Sequence, residues 1–227
     1  MPSSVLSHQA PALLIKLKYP NRFDGTALCI STFIPDIDVI IDFFLPFSIR
    51  GITHSLLGLI LWTIPLTIIL TIVFSRYIGP LCATIAKKES VLFKPLRYFG
   101  IDEWSNLKNK SYNSRFFLVA FYSALIGGLT HLLLDLPSHA EIKLFYPWII
   151  LQSPDFLLYT IKEGSIIYIG QSLIDTSLYV YRLIWLIETI VTLFLSLYLL
   201  RYIKKHNLIS KWYKVNRLDK QKNNSNP

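Results

Sequence analysis

The sequence predicts an all-α, multi-pass membrane protein, a bundle of about four to six helices with broken or re-entrant segments. Of the 227 residues, 52% are hydrophobic and 16% are charged, whereas about 25% of residues are charged in soluble domains. The mean hydropathy is +0.44. Three stretches are almost free of charge and reach the length of about 20 residues that crosses a bilayer core as a helix.

These stretches cover residues 55–74, 116–134 and 183–200. Pro65 is expected to kink the first helix without ending it, because neighbouring helices can compensate for its missing hydrogen bond. The third stretch contains one charged residue, Glu188. We expect Glu188 to be a partnered structural acid near the membrane interface.

Three weaker segments, 26–47, 144–161 and 165–181, are apolar but interrupted by acids or prolines. Such segments are typical of broken, re-entrant or interfacial helices packed on the membrane-spanning ones. The sequence thus predicts one helical membrane domain over 1–203, with its motifs in 1–140, and a basic cytoplasmic tail over 204–227.

The formal net charge of +9 comes mainly from two basic segments, 76–115 and 201–227, which adjoin apolar stretches. This arrangement is typical of cytoplasmic flanks in a cell-membrane protein, and it predicts membrane lipids as partners and no nucleic acid. In the connection between the second and third stretches, residues 136–182 contain three basic residues and four acids. That connection is therefore expected outside.

A histidine motif lies at the end of the second apolar stretch. His131 and Asp135 are four residues apart, so on a helix they share one face and could bind one metal ion. Pro137 ends that helix, and His139 begins a new direction beyond it. The simpler alternative is that these histidines are solvated or cap the helix end.

An acidic cluster lies in the segment FIPDIDVIIDFF. Pro35 suits the first turn of a helix, where Asp36 and Asp38 would be favoured by the helix dipole. Carboxylates in an apolar segment need a partner, and a divalent cation, with zinc favoured, is the simplest one. The alternative is helix capping. Asp42 is predicted to support the site or to accept a proton.

The segment RGITHS supplies a third element. Gly51 permits a tight turn, which places His54 at the start of the first apolar stretch. In isolation His54 could equally be a satisfied interfacial histidine. Its predicted position on the outer side, shared with Asp135 and His139, favours a common site.

In their order along the chain, these motifs resemble the predicted membrane-bound metal-dependent hydrolases, in particular an uncharacterised archaeal and bacterial branch. The resemblance covers about residues 1–140, but Ile49 stands where some relatives carry a histidine. More remotely, the motifs are similar to those of zinc-dependent phospholipase C, which implies phosphoester hydrolysis with two or three zinc ions. The metal ligands that the resemblance implies are His8, Asp36, Asp38, His54, His131, Asp135 and His139.

Three functions compete. The first is hydrolysis of a phosphoester or lipid-like substrate at the outer membrane surface by metal-activated water, with Asp36 or Asp42 as proton acceptor. The second is an accessory or structural subunit of a larger membrane complex, with a structural or vestigial metal site. The third is a transporter whose ion path uses the aspartates and Glu188. Nucleophilic-serine and nucleotide-binding motifs are absent from the sequence.

The N-terminal segment raises a conflict. Lys16, Lys18 and Arg22 favour an inner N-terminus. If residues 26–47 crossed the membrane fully, His8 would then lie in the cytoplasm, away from His54. Either that segment is re-entrant, or His8 is not a ligand.

Overall fold

The computed structural model describes residues 7–169 and 172–213, and the rest of the predicted tail lies outside this part. The described chain is mostly helical, with three pairs of short antiparallel strands. The α-helices are α1 (Gln9–Lys18), α2 (Gly25–Ser31), α3 (Asp38–Asp42), α4 (Arg50–Thr53), α5 (Leu56–Gly58), α6 (Ile64–Val73), α7 (Gly79–Ala86), α8 (Lys94–Tyr98), α9 (Ser114–Asp135), α10 (Asp155–Leu158), α11 (Val180–Lys205) and α12 (Leu208–Trp212).

Three helices are long and apolar enough to cross a membrane: span 1 (Leu56–Ala86), span 2 (Ser114–Ser138) and span 3 (Val180–Lys205). Each contains most or all of one predicted stretch. Span 1 is longer than predicted, so the basic segment that starts at Arg76 begins inside a helix.

Span 1 passes two prolines without ending. A π-helical segment, Leu59–Thr63, precedes Pro65, and a second one, Phe74–Ile78, precedes Pro80. A proline ring clashes with the carbonyl four residues earlier, which in both cases belongs to the π-helical segment. The wider π turn moves that carbonyl away, which explains why the helix continues.

Helices α1 and α2 form a hairpin packed against the spans. The buried Leu13 on α1 lies in one apolar cluster with Leu199 and Ile203 of span 3. Helix α2 packs against span 2 so closely that a Cβ on Gly127 would lie 2.0 Å from Ser31 Oγ. The chain after α2 breaks into a 3₁₀ turn, Pro35–Ile37, and the short α3, so residues 26–47 do not form one crossing helix.

The all-α prediction is wrong for the segments 144–161 and 165–181, where the described residues form short strands together with the one-turn helix α10. Pro147 and Pro154 interrupt helical hydrogen bonding there, and β-branched residues such as Ile149 and Ile150 favour strands. The pairs are β1–β2, β3–β6 and β4–β5. The strands are β1 (Glu141–Phe145), β2 (Ile149–Gln152), β3 (Thr160–Lys162), β4 (Ile166–Ile169), β5 (Ser172–Asp175) and β6 (Leu178–Tyr179).

Candidate metal centre

Histidine and aspartate side chains from distant parts of the chain meet where span 1 begins and span 2 ends. His131 and Asp135 lie on the last two turns of α9, one helical turn apart. His54 immediately precedes Ser55, whose hydroxyl caps α5. Asp36 comes from the 3₁₀ turn after α2. We call Asp36, His54, His131 and Asp135 the His/Asp cluster.

Distances within the His/Asp cluster match those between ligands of one small ion. His131 Nε2 lies 3.4 Å from Asp135 Oδ2 and 3.8 Å from Asp36 Oδ1. His54 Nε2 lies 3.5 Å from each of the same two oxygens. A tetrahedral ion with bonds of about 2.0 to 2.2 Å holds its ligand atoms about 3.3 to 3.6 Å apart. The geometry therefore fits a single divalent metal.

Three atoms of the His/Asp cluster are buried without a hydrogen-bond partner in the described part of the chain. They are His54 Nε2, His131 Nε2 and Asp135 Oδ2. Buried polar atoms in native proteins are nearly always paired, because an unpaired one loses its hydration without compensation. Both nitrogens lie at ion-pair distance from Asp135 Oδ2, at 3.4 to 3.5 Å, and two nitrogens with carboxylate oxygens form a set that could hold a metal ion.

The end of α2 orients His131. His131 Nδ1 lies 2.8 Å from the carbonyl oxygen of Thr32, the C-cap residue of α2. With a proton on Nδ1, the ring donates to this carbonyl, and Nε2 keeps its lone pair towards Asp36 and Asp135. A histidine that binds metal through one nitrogen commonly donates from the other in this way.

Asp38, a predicted ligand, lies on the opposite side of the His54 ring from the His/Asp cluster. Its Oδ2 is 3.6 Å from His54 Nδ1 and 3.4 Å from Arg50 Nη1. The Asp38 side chain is almost fully buried, and this burial raises its pKa. His54 Nδ1 takes its hydrogen bond from the adjacent Thr53, whose Oγ1 lies 2.9 Å away, so Asp38 supplies charge near the ring and Thr53 orients it.

His139 has both ring nitrogens engaged. Its Nδ1 lies 3.0 Å from the Asp135 carbonyl oxygen, and its Nε2 lies 3.1 Å from Arg50 Nη2. Burial lowers the pKa of His139. A neutral ring that donates through Nδ1 and accepts through Nε2 satisfies both contacts. His139 thus holds Arg50 in place beside the His/Asp cluster.

Asp42, predicted as a proton acceptor, forms hydrogen bonds within the loop before α4. Its carboxylate accepts hydrogen bonds from Ser48 Oγ at 2.6 Å and from the Ile49 backbone N–H at 2.9 Å. These bonds shape the loop before α4. The structure does not bring Asp42 into the His/Asp cluster.

His8 reaches the His/Asp cluster because α1 and α2 reverse direction. Its Nδ1 lies 2.8 Å from His131 Nδ1, and its Nε2 lies 3.9 Å from Asp135 Oδ1. Burial and the neighbouring His131 lower the pKa of His8 to about 4. His8, His131 and Asp135 form a second group with metal-ligand spacing, which shares two residues with the first.

A cavity of about 260 Å³ opens beside the His/Asp cluster. Arg50, Lys143 and Tyr181 line it together with His54 and Asp135. Sequence reasoning missed these first three residues. Arg50 could have been found by asking which cation balances the buried Asp38. Lys143 lies on β1, whose strand structure was not predicted, and Tyr181 lies in the first turn of α11, just before the predicted apolar stretch.

Glu188 also differs from its predicted role. Both of its carboxylate oxygens are buried without a hydrogen-bond partner among the described residues. The charged groups that influence it are Asp135 and His131. Among the described residues, Glu188 thus lacks the hydrogen-bond partner that the sequence analysis predicted, and its interfacial position stays a prediction.

Comparison with known proteins gives one match. Residues 1–220 match the family model described as a domain of unknown function, DUF4184. No curated protein and no solved structure matches the chain. The comparisons thus contain no hydrolase and no phospholipase C relative.

Proposed function

We propose that this chain, which belongs to the DUF4184 family, is a membrane-embedded metal-dependent hydrolase of phosphoester or lipid-like substrates. The observation that carries the proposal is the convergence of three buried, unpartnered ligand atoms, His54 Nε2, His131 Nε2 and Asp135 Oδ2. Asp36 Oδ1 completes a set of two nitrogens and two oxygens at metal-ligand spacing. Zinc is the favoured ion for this set.

The residues divide into ligands and supports. Asp36, His54, His131 and Asp135 would hold the ion, while Thr32 and Thr53 orient the imidazoles of His131 and His54. If the ion kept a fifth position open towards the cavity, zinc held by these four residues would lower the pKa of a bound water towards 7 and supply a nucleophile.

The cavity beside the His/Asp cluster indicates an anionic substrate. Arg50 and Lys143 bring two permanent positive charges to its wall. Arg50 is held by Asp38 and His139, and a guanidinium so fixed can still donate hydrogen bonds to phosphate oxygens. These charges favour a phosphoester over a neutral ester.

Exposed apolar side chains on the same side of the bundle favour a lipid-like substrate. Phe43 and Phe44, just after α3, are 83% and 77% exposed, and Trp148 in the β1–β2 turn is 75% exposed. Large apolar groups in such positions are typical of segments that contact the membrane interface. A substrate anchored in the bilayer would thus reach the cavity along an apolar surface.

The basic residues support an outer position for the site. The segment from Lys87 to Lys110 joins spans 1 and 2 at the ends opposite to the His/Asp cluster. By the positive-inside rule these ends face the cytoplasm. Lys16 also lies at this basic end, 4.8 Å from the Trp212 ring, so the N-terminal basic residues agree with this topology even though His8 is near the site.

Metal content tests the proposal directly. Purified protein should contain a divalent ion by elemental analysis, and Asp135→Asn or His131→Gln should abolish it. Asp42→Asn is the matched control, because it removes an acid that lies outside the His/Asp cluster, and it should retain the ion. If the wild type held no more metal than Asp135→Asn, the metal centre would be refuted.

A hydrolysis assay then separates the enzyme from the accessory subunit. The wild type should hydrolyse a chromogenic phosphodiester or a phospholipid, and a chelator should abolish the reaction. If the protein bound the ion but hydrolysed neither substrate, the result would favour an accessory subunit with a structural metal site.

A further inference from the structure

A second cleft, of about 450 Å³, lies away from the His/Asp cluster between the α1–α2 hairpin and spans 1 and 3. Its walls are almost entirely apolar. It runs from Phe33, near the cluster end, to Trp212 and Tyr213 at the basic end. The side chains that form the middle of its walls are Leu13, Ile30, Phe74, Leu200 and Ile203.

The helix packing explains why this cleft exists. Span 3 packs mainly on α1, whereas α6 and α7 of span 1 pack on α2, span 2 and the 3₁₀ segment Ile101–Asn109. The hairpin therefore stands between spans 1 and 3 and keeps them apart. The resulting gap faces the side of the bundle, where the apolar surface of span 3 is exposed.

The cleft is poorly suited to remain empty or to hold water. Empty volume in a protein interior destabilises it in proportion to its size, and an apolar cavity offers water no hydrogen bonds. At the depth of the three spans, the surrounding solvent is the hydrocarbon of the bilayer. The apolar molecule at hand is therefore a lipid acyl chain.

The basic end of the cleft suits an anionic headgroup. Trp212 and Tyr213 are residue types enriched at the membrane interface. The Lys16 ammonium at this end is engaged, because it donates to the carbonyls of Pro20 and Phe23. Lys18 and Lys211 lie within two residues of lining residues and are exposed. They can therefore contact a phosphate at the interface.

We propose that this cleft binds one acyl chain of an anionic phospholipid from the leaflet at the basic end, with Lys18 and Lys211 as partners of its headgroup. The binding site is separate from the His/Asp cluster and does not depend on the proposed hydrolysis. The lipid fills the gap between spans 1 and 3.

Lipid retained by the purified full chain tests the acyl-chain site. Phospholipids extracted from the detergent-purified protein should be present in stoichiometric amount and enriched in anionic classes relative to the source membrane. Leu200→Trp and the milder Leu200→Phe, which fill the cleft, should lose most of this lipid at unchanged helix content. The control is Ile190→Trp, on the exposed face of the same helix, which should retain it.

The headgroup is tested by charge removal. Lys18→Ala combined with Lys211→Ala should reduce the anionic share of the retained lipid, whereas Lys88→Ala with Lys94→Ala removes equal charge from exposed positions elsewhere and should not. Equal lipid in folded Leu200→Phe and Ile190→Trp would overturn the site. Retained lipid with the headgroup composition of the source membrane would overturn its anionic identity.

Discussion

The two ends of the helix bundle treat buried charge in opposite ways. At the basic end, Asp24 and Lys110 are both buried and lie 2.8 Å apart. Asp24 also accepts a hydrogen bond from the Ala27 backbone, and Lys110 donates to Thr26. At the other end, the His/Asp cluster brings together two carboxylates and two imidazoles, and three of their buried atoms make no hydrogen bond within the described residues.

The two ends differ in which groups neutralise their buried carboxylates. Burial alone would raise the pKa of Asp24, but the adjacent Lys110 and its hydrogen bonds hold that pKa below its ordinary value. The chain therefore neutralises this carboxylate with its own lysine. The acids of the His/Asp cluster instead lie at ion-pair distance from the imidazoles of His54 and His131, at 3.4 to 3.8 Å.

The largest effect is expected from breaking the internal pair. Asp24→Asn leaves the Lys110 ammonium buried without a counter-charge, which should lower the free energy of unfolding by about 3 to 5 kcal/mol. Denaturant unfolding in detergent measures this loss. The double variant Asp24→Asn with Lys110→Met should recover most of it. A loss below about 1 kcal/mol for the single variant would contradict a structural role.

Metal should stabilise the other end. Adding zinc to chelator-treated protein should raise the melting temperature, since an ion at 100 times its dissociation constant contributes about 2.7 kcal/mol. Asp135→Asn should remove this increase, because it removes one of the proposed ligands. An equal increase in Asp135→Asn would place the bound zinc elsewhere.

Arg50 sharpens the comparison, because it is a permanent cation next to the His/Asp cluster. Arg50→Gln should lower the stability by about 1 to 2 kcal/mol through its contacts to Asp38 and His139. It should also weaken metal binding by about 10- to 100-fold, because the segment that carries His54 loses the contacts of Arg50 to Asp38 and His139. Metal titration followed by melting temperature measures both effects. Arg50→Lys keeps the charge, so its stability and its metal affinity should lie between those of the wild type and Arg50→Gln.

The smallest effect is expected from a less buried pair at the basic end. Lys204 contacts Asp102 at 2.8 Å and Glu103 at 3.1 Å, but its side chain is 23% exposed. Partly solvated ion pairs contribute about 0.2 to 1 kcal/mol. Lys204→Met should therefore lower the free energy of unfolding far less than Asp24→Asn does. Equal losses would show that burial does not distinguish these two pairs.

The spans could be predicted because uninterrupted apolar length is a local property of the sequence. The i, i+4 spacing of His131 and Asp135 likewise predicted a shared helix face. The strands after Asp135 could not be predicted in this way, since short apolar runs suit strands and helices alike.

The site was predicted by residue type but not by the task of each residue. Whether an aspartate faces Nε2 or Nδ1 of His54 depends on loop geometry, and this alone separates Asp36 from Asp38. Asp42 differs from both because Ser48 and the Ile49 backbone use its carboxylate. Motif spacing contains no information about such tertiary contacts.

The N-terminal hairpin has a consequence for biosynthesis. His8 and His131 are separated by 123 positions, and Asp24 contacts Ser123. At about 5 to 20 residues per second, the ribosome finishes span 2 on the order of ten seconds after α1 has emerged. The first helices to be made thus wait for their binding partner. A nascent chain halted before span 2 should leave residues 8–36 open to protease, whereas release after span 3 should protect them.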